Sequence, residues 1–572
     1  MTPVFQLQDL PGDVLFHIFT FLDIRDIVYL RKTCKALEDL TRDRSVWHDV
    51  LSTRFLQKGL PIPGIKDRCV SSLSAAGLER VTIRASRYWS NWISPQPQCY
   101  FSLEIRPTAR PWTSIPSHRN LAAEFLPWMD GRYLLTLTLY TTSSDRESRR
   151  FSFQCWDLAQ TQTQGAPTEI AELLVSGLLS YAVNTSPDSP NVLAITLRGG
   201  NHTYMATTYT IEFTTPDTEP WFRRTGQFPS TRRILGLEGS RLVSTDESNI
   251  VRVANIESGT WMCALKVPLI HADPTLRLPE QQCLGYHIFG DFIVTFCKQW
   301  IYLYHIPDSL ASLPLHTDDH TLAAPSPLLD PIAEYKWRWR IDSITVNPRR
   351  PHPSSRSFSH SDHTPPAIDL LIRFDTWFPW PVNILHHYVL PPNPTFSRSS
   401  FSPTARSTFP YLRSPAPADG PLMAHAIPSP LRLFTPSDMV LGAYGTALWL
   451  DASTDAATPS QAGDRGQRIA MRFLAPSPAA VLQAGEGLQD DQVSPGMTVD
   501  AALTDALGAM ALDEQSEVRM REWEHGVSVL HSQETHELWN RVAVNEEEGQ
   551  VAVGYTDGRV SVYVYAPPEA EK

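Results

Sequence analysis

The sequence predicts a mainly β protein: a small all-α module at the N-terminus, then a β-propeller-like domain of about seven blades with disordered insertions. Three observations carry this. Apolar residues in the N-terminal segment repeat at helical spacing; after Gln98 they alternate in short runs; and those runs recur in weak units close to the roughly 40-residue period of propeller blades. A chain of 572 residues is long enough for several domains and a large core, so no disulfide or metal is needed to hold it together.

In the N-terminal module, residues 1–60, Val14, Leu15, Ile18, Phe19 and Leu22 draw an apolar stripe down one helix face. Pro11 suits a first helical turn, where its missing N–H is not needed. Asp23 reads as the N-cap of a second short helix carrying Ile24, Ile27, Val28 and Leu30. Thr33 reads as the cap of a third helix with Cys34, Leu37 and Leu40 inward, and Ser45 as the cap of a fourth with Val46, Trp47, Val50 and Leu51. So small a bundle is marginal alone, and its apolar content exceeds what it can shelter. Such a module should bury one face against another protein.

The string Leu10-Pro11, Val14-Leu15, Ile18-Phe19-Thr20-Phe21-Leu22-Asp23, Asp26-Ile27, Leu30-Arg31, Cys34-Lys35 and Trp47 resembles the F-box motif, without a gap from about Leu7 to Leu51. The whole chain resembles fungal F-box proteins with a C-terminal, WD-repeat-like propeller body. That resemblance implies docking on a Skp-type adaptor, and through it on cullin and RING subunits of a ubiquitin ligase. It implies adaptor contacts from Leu10, Pro11, Val14, Leu15, Ile18 and Leu30, with Phe19, Leu22 and Trp47 stabilising the bundle itself. The body is then expected to hold an unknown protein substrate.

Residues 61–97 read as a helical linker. Leu78, Val81, Thr82, Ala85, Tyr88, Trp89 and Trp92 share a face, and Pro95 and Pro97 stop the helix. This suits either a rigid spacer or a helix packed on the underside of the body. Residues 98–572 form the body. Tyr133–Tyr140, Val251–Ile256 and Val560–Tyr565 alternate as strands, and Asp130-Gly131 and Asp557-Gly558 are hairpin pairs. Trp156-Asp157 and Trp449-Leu450-Asp451 resemble the strand ends of WD repeats. Blades are expected near residues 140, 195, 250, 295, 360, 445 and 555, with the strand near Tyr100–Ile105 completing the last one. Pro- and Ser-rich or acidic segments near 352–367, 390–430, 451–467 and 475–515 lack apolar periodicity and read as disordered insertions, with a short helix near Val499–Met510.

The sequence shows no phosphate-binding glycine loop and no nucleophile elbow. The pairs His360/His363 and His386/His387 read as solvated or core histidines, so neither metal nor cofactor is expected. Trp377, Phe378 and Trp380, set among prolines, form a candidate partner-binding cluster. A formal charge of -12 disfavours nucleic acid as a partner. Seven scattered cysteines without a Cys-x-x-Cys pair fit a reducing compartment, cytoplasmic or nuclear, and no apolar run is long enough to span a membrane. The favoured reading is a non-catalytic substrate receptor. Its rivals are an F-box scaffold outside proteolysis and a propeller enzyme whose F-box controls its own turnover.

Overall fold

A computed structural model describes residues 10–65, 70–106, 117–127, 131–141, 149–158, 167–199, 203–213, 220–229, 231–246, 248–268, 282–307, 327–337, 339–349, 365–374, 382–413, 420–430, 437–452, 466–474, 527–533 and 538–568. Five helices come first: α1 (Gly12–Phe21), α2 (Ile24–Leu30), α3 (Lys35–Thr41), α4 (Arg44–Leu51) and α5 (Ala75–Trp92). Seven antiparallel sheets follow in chain order, spanning 117–176, 178–229, 233–265, 283–336, 341–430, 439–533 and 539–564. They are the blades 1 to 7 of a β-propeller. Blade 3 gains a short fifth strand, Leu328–Leu329, parallel to its outer edge. The strand Phe101–Ile105 pairs with Val560–Val564, so blade 7 is built from both ends of the body and closes the ring.

The alternation seen in the sequence explains the packing. Each strand presents apolar residues to both faces of its sheet, because each blade lies between two others. Seven apolar layers result, one between each pair of neighbouring blades. The Trp156-Asp157 and Trp449-Leu450-Asp451 strand ends sit where strands need a polar tie. The Trp449 indole N–H donates to Asp451, which also pairs with Arg468 at 2.6 Å. The Trp156 indole donates to Thr136, and Asp157 pairs with Arg132.

One expected insertion is folded. The described part of 390–430 forms a wound loop and the outer strand Leu422–Pro430 of blade 5. Its aromatics cover the edge of blade 4: Phe396 and Phe401 meet Phe292 edge-on at 5.6 and 4.8 Å, and Phe409, Tyr411 and Leu412 are buried. Asn393 holds the loop from inside, its amide donating to the carbonyls of Ser407 and Phe409. Composition pointed to disorder because Pro and Ser dominate the count, yet a few large aromatics supply the burial. Positions 352–364, 453–465 and 475–515, with the helix expected at Val499–Met510, lie outside the described residues.

A row of polar groups crosses all four strands of blade 5. Asp369 accepts from Arg349 at 2.7 and 2.8 Å and from His387 Nε2 at 2.9 Å, and the other His387 nitrogen meets His425 at 3.0 Å. His386, the neighbour of His387 in sequence, points to the opposite face and packs on Phe374. Burial pushes His287 and His386 down to about 4, and burial together with Arg472 does the same for His425. Arg472, His387 and Arg349 disfavour a charge on His425, and Asp369 favours it. Unfolded histidines bind protons from about pH 6.5 downward. Stability is therefore complete above that pH and lost as pH falls toward 4, with up to three protons taken up on unfolding by these side chains. Urea midpoints between pH 7 and 4 should fall steeply, and His287→Gln should make the fall shallower; an unchanged slope in that variant contradicts the assignment.

Candidate protein-docking site

The N-terminal bundle has its own core. Leu15, Phe19, Ile24, Ile27, Leu37, Val46, Trp47, Val50, Leu51 and Phe55 are buried together with Leu78 and Ala85 of α5. Trp47 is fully buried and its indole N–H donates to the Thr41 carbonyl at 2.8 Å. Arg31 lies over the Trp47 ring and grips Glu79 of α5 with two hydrogen bonds, 2.6 and 3.2 Å. Leu22 is half-buried against the same core.

The helix ends differ from the sequence expectations by one or two positions. Pro11 occupies the N-cap of α1, in extended conformation, and not the first turn. Asp23 does precede α2, but its carboxylate pairs with Arg54 at 3.0 Å and caps no N–H. Cys34, not Thr33, precedes α3; Thr33 donates back to the Leu30 carbonyl. Asp43, not Ser45, caps α4: its carboxylate accepts from the Ser45 N–H and hydroxyl, the hydroxyl foremost in holding its pKa below the usual value.

Helical periodicity sorts the six residues assigned to adaptor contact. Leu15 and Phe19, four apart, face inward, so Leu15 belongs to the core and is only 1% exposed. This corrects its place among the contact residues. Val14 and Pro11 are exposed, and Leu10, Ile18 and Leu30 are half-buried. Two residues that the motif did not single out join them on the outside: Phe21, 73% exposed, and Tyr29, 59% exposed. The Phe19-Thr20-Phe21 spacing held the signal, since residues two apart cannot share a helix face. Together these side chains leave an apolar strip along α1 and α2 that nothing in the chain covers among the described residues. Trp377, Phe378 and Trp380 lie outside the described residues.

The linker helix α5 serves two cores. Its first half closes the bundle through Leu78 and Ala85; its second half lies against blades 6 and 7 through Tyr88 and Trp92. Trp89 meets Phe473 edge-on at 4.7 Å, and the Trp92 indole N–H donates to Thr446 at 3.0 Å. Asn91 donates to the carbonyls of Gln98 and Tyr565. At Gly549, whose φ is +63°, any Cβ would strike Tyr88 and Ala566, so the close seat requires glycine. Thr446 and Gly549 lie where the first strand of their blade gives way to the second, and Phe473 and Tyr565 lie at the end of the third, so all four are at one end of the strands. The bundle therefore sits on that end of the propeller. Phe374 and Val382, where the second strand of blade 5 ends and the third begins, lie at the opposite end. Trp92→Ala should lower stability by about 3–5 kcal/mol through lost burial, and should make the segment around Pro95 cleavable by protease; a protected, equally stable variant shows that the seat does not depend on Trp92.

A family profile described as F-box-like matches residues 7–53. Residues 7–53 are an F-box-like domain. The F-box protein pof9 of Schizosaccharomyces pombe is 45% identical over 40 residues, which are 7% of this chain and 9% of that protein. The likeness is confined to the F-box, and the chain spans less than a tenth of that relative. Among solved structures, a chain of an active polycomb repressive complex 2 in the basal state is 13% identical, covering 83% of this chain and 98% of its own, with a TM-score of 0.44. A chain of apo polycomb repressive complex 2 from Chaetomium thermophilum in an autoinhibited state is 12% identical, covering 82% and 97%, with a TM-score of 0.43. Likenesses this distant carry no functional meaning for the F-box chain.

Among the described residues, no three His, Cys, Asp or Glu side chains are grouped to hold a metal ion, and no helix is long and apolar enough to cross a membrane. An F-box implies Skp-type adaptor binding within a ligase complex in general; the client follows from no residue on this surface.

Proposed function

We propose that this protein is the substrate-recognition subunit of a Skp/cullin/F-box ubiquitin ligase. The observation that carries the reading is the uncovered apolar strip on α1 and α2, formed by Leu10, Pro11, Val14, Ile18, Phe21, Tyr29 and Leu30 around a bundle that is otherwise sealed. An adaptor covers that strip, and the propeller end remote from α5, where strand Ile368–Phe374 of blade 5 ends, faces the client. Catalysis is positional: a client held on one body meets the charged conjugating enzyme at high effective concentration. Copurification of full-length protein with adaptor and cullin, followed by client half-life on depletion, tests the reading. Adaptor binding without any stabilised client favours the scaffold instead.

One observation favours a second reading, a propeller enzyme. On the innermost strands, Glu124 receives a hydrogen bond from Tyr181 at 3.3 Å, and burial and then the charge of Asp438 push its carboxyl up to about 7, against the pull of Arg541. A carboxyl with a raised folded pKa favours the fold below about pH 4.5 and penalises it increasingly as pH rises through 7. Glu124→Gln should therefore be more stable than wild type at pH 8 and equal to it near pH 4.5, as read by urea midpoints. If that variant also keeps full client turnover, Glu124 has no part in function and the enzyme reading fails.

A further inference from the structure

Cys283 and Cys297 face each other on the first two strands of blade 4, Cys283–Phe289 and Phe292–Cys297. At the adjoining pair the Lys298 N–H donates to the Gln282 carbonyl at 3.1 Å. Antiparallel ladders alternate, so the cysteines occupy a non-hydrogen-bonded position, where Cα atoms lie about 4.5 Å apart and side chains come closest. A disulfide requires roughly 4.4–6.8 Å. The Cys283 thiol donates to the Gly285 carbonyl at 3.4 Å, and both cysteines are free and fully buried. The ladder slips between Cys283 and Gly285, a bulge that loosens this corner of the blade.

We propose that Cys283 and Cys297 are an oxidative modification site, a latent cross-strand disulfide whose co-substrate is a low-molecular-weight disulfide of the glutathione type. The thiolate of one cysteine attacks glutathione disulfide, breaking its S–S bond and releasing one glutathione thiolate. The second cysteine thiolate then attacks the protein sulfur of the mixed disulfide and releases the second glutathione. One S–S bond breaks and one forms between protein sulfurs. The two cysteine protons end on the two glutathiones, and two electrons pass from protein to co-substrate. The neighbouring Cys283 and burial together push the Cys297 thiol up, so the closed blade keeps it protonated and unreactive. Reaction therefore proceeds through openings that lift the inner strand at the bulge. Exposed Cys99 is a built-in reference, since it takes up a single glutathione without any opening.

The test uses the full chain in oxidised glutathione with graded urea below the unfolding transition, followed by denaturing thiol counts and peptide mapping. The expected result is the loss of one thiol at Cys99 as a glutathione adduct and of two more mapped to a Cys283–Cys297 link, the link forming faster as urea rises and absent in Cys283→Ser and in Cys297→Ala. The second variant serves if the first fails to fold. Free thiols at both positions once Cys99 is fully modified, at urea concentrations that open the blade, overturn the proposal. A link from either cysteine to Cys263, which shares their apolar layer, also overturns it.

Discussion

Val14→Asp combined with Ile18→Asp is expected to weaken adaptor binding by at least a hundredfold while lowering the urea midpoint of the protein only modestly. The two residues lie one turn apart on the outer side of α1, Val14 39% exposed and Ile18 half-buried. In the free chain the carboxylate at 14 remains in water, and the one at 18 reaches water from the half-buried margin of the bundle core. In the proposed complex both would sit in an apolar contact, unpaired, at a penalty of several kcal/mol, and about 2.7 kcal/mol is enough for a hundredfold loss. Leu15→Asp is the contrasting variant: its side chain is in the bundle core, so it should unfold the module and lose binding for that reason. Titration calorimetry with purified adaptor, with near-ultraviolet circular dichroism as the check on folding, separates the two. Full affinity in the double variant, with an intact fold, removes the strip from the binding site.

Deletion of residues 1–51 is expected to disturb the rest of the protein as well as remove the F-box. Removing α1 to α4 leaves Leu78 and Ala85 of α5, both 0% exposed now, bare to solvent, and aggregation would then imitate loss of function.

Asp369→Ala is expected to cost about 3–5 kcal/mol. Burial alone would raise the pKa of Asp369, but hydrogen bonds from His387 and Arg349 outweigh it and hold the carboxylate below its usual range. Truncation leaves the Arg349 guanidinium and the His387 ring without their acceptor in a closed interior, the situation in which broken buried ion pairs cost most. A variant that also replaces His387 with Leu should recover part of the loss, because no unpaired ring then remains. Denaturant melts of the two single variants and the double variant measure this coupling. Additive losses would mean that Asp369 and His387 do not act as a unit.

How much of this was legible in the sequence depends on range. The bundle and strands such as Tyr133–Thr141 and Val560–Val564 were readable because periodicity is local and each face is fixed by its own spacing. The caps slipped because Asp43 and Ser45 are both good cap residues two apart, and only the backbone decides between them. The division of Leu15 from Val14 was available from spacing alone, yet the motif treats the two as one contact pair. The Arg349–Asp369–His387–His425 row was out of reach, since it joins four strands separated by unrelated loops. The folded loop after Leu390 was misread because average composition hid Phe396, Phe401, Phe409 and Tyr411, which bury it.

The shared seventh blade has a consequence for synthesis. Strand Phe101–Ile105 leaves the ribosome hundreds of residues before Val560–Val564, the segment that will sit beside it. Six blades can assemble on a nascent chain while the circle stays open. The last joining step is a contact of very long sequence separation, slow by its nature. A premature stop anywhere upstream of Val560 would leave a gapped circle with two naked sheet edges, a target for chaperones and for self-association.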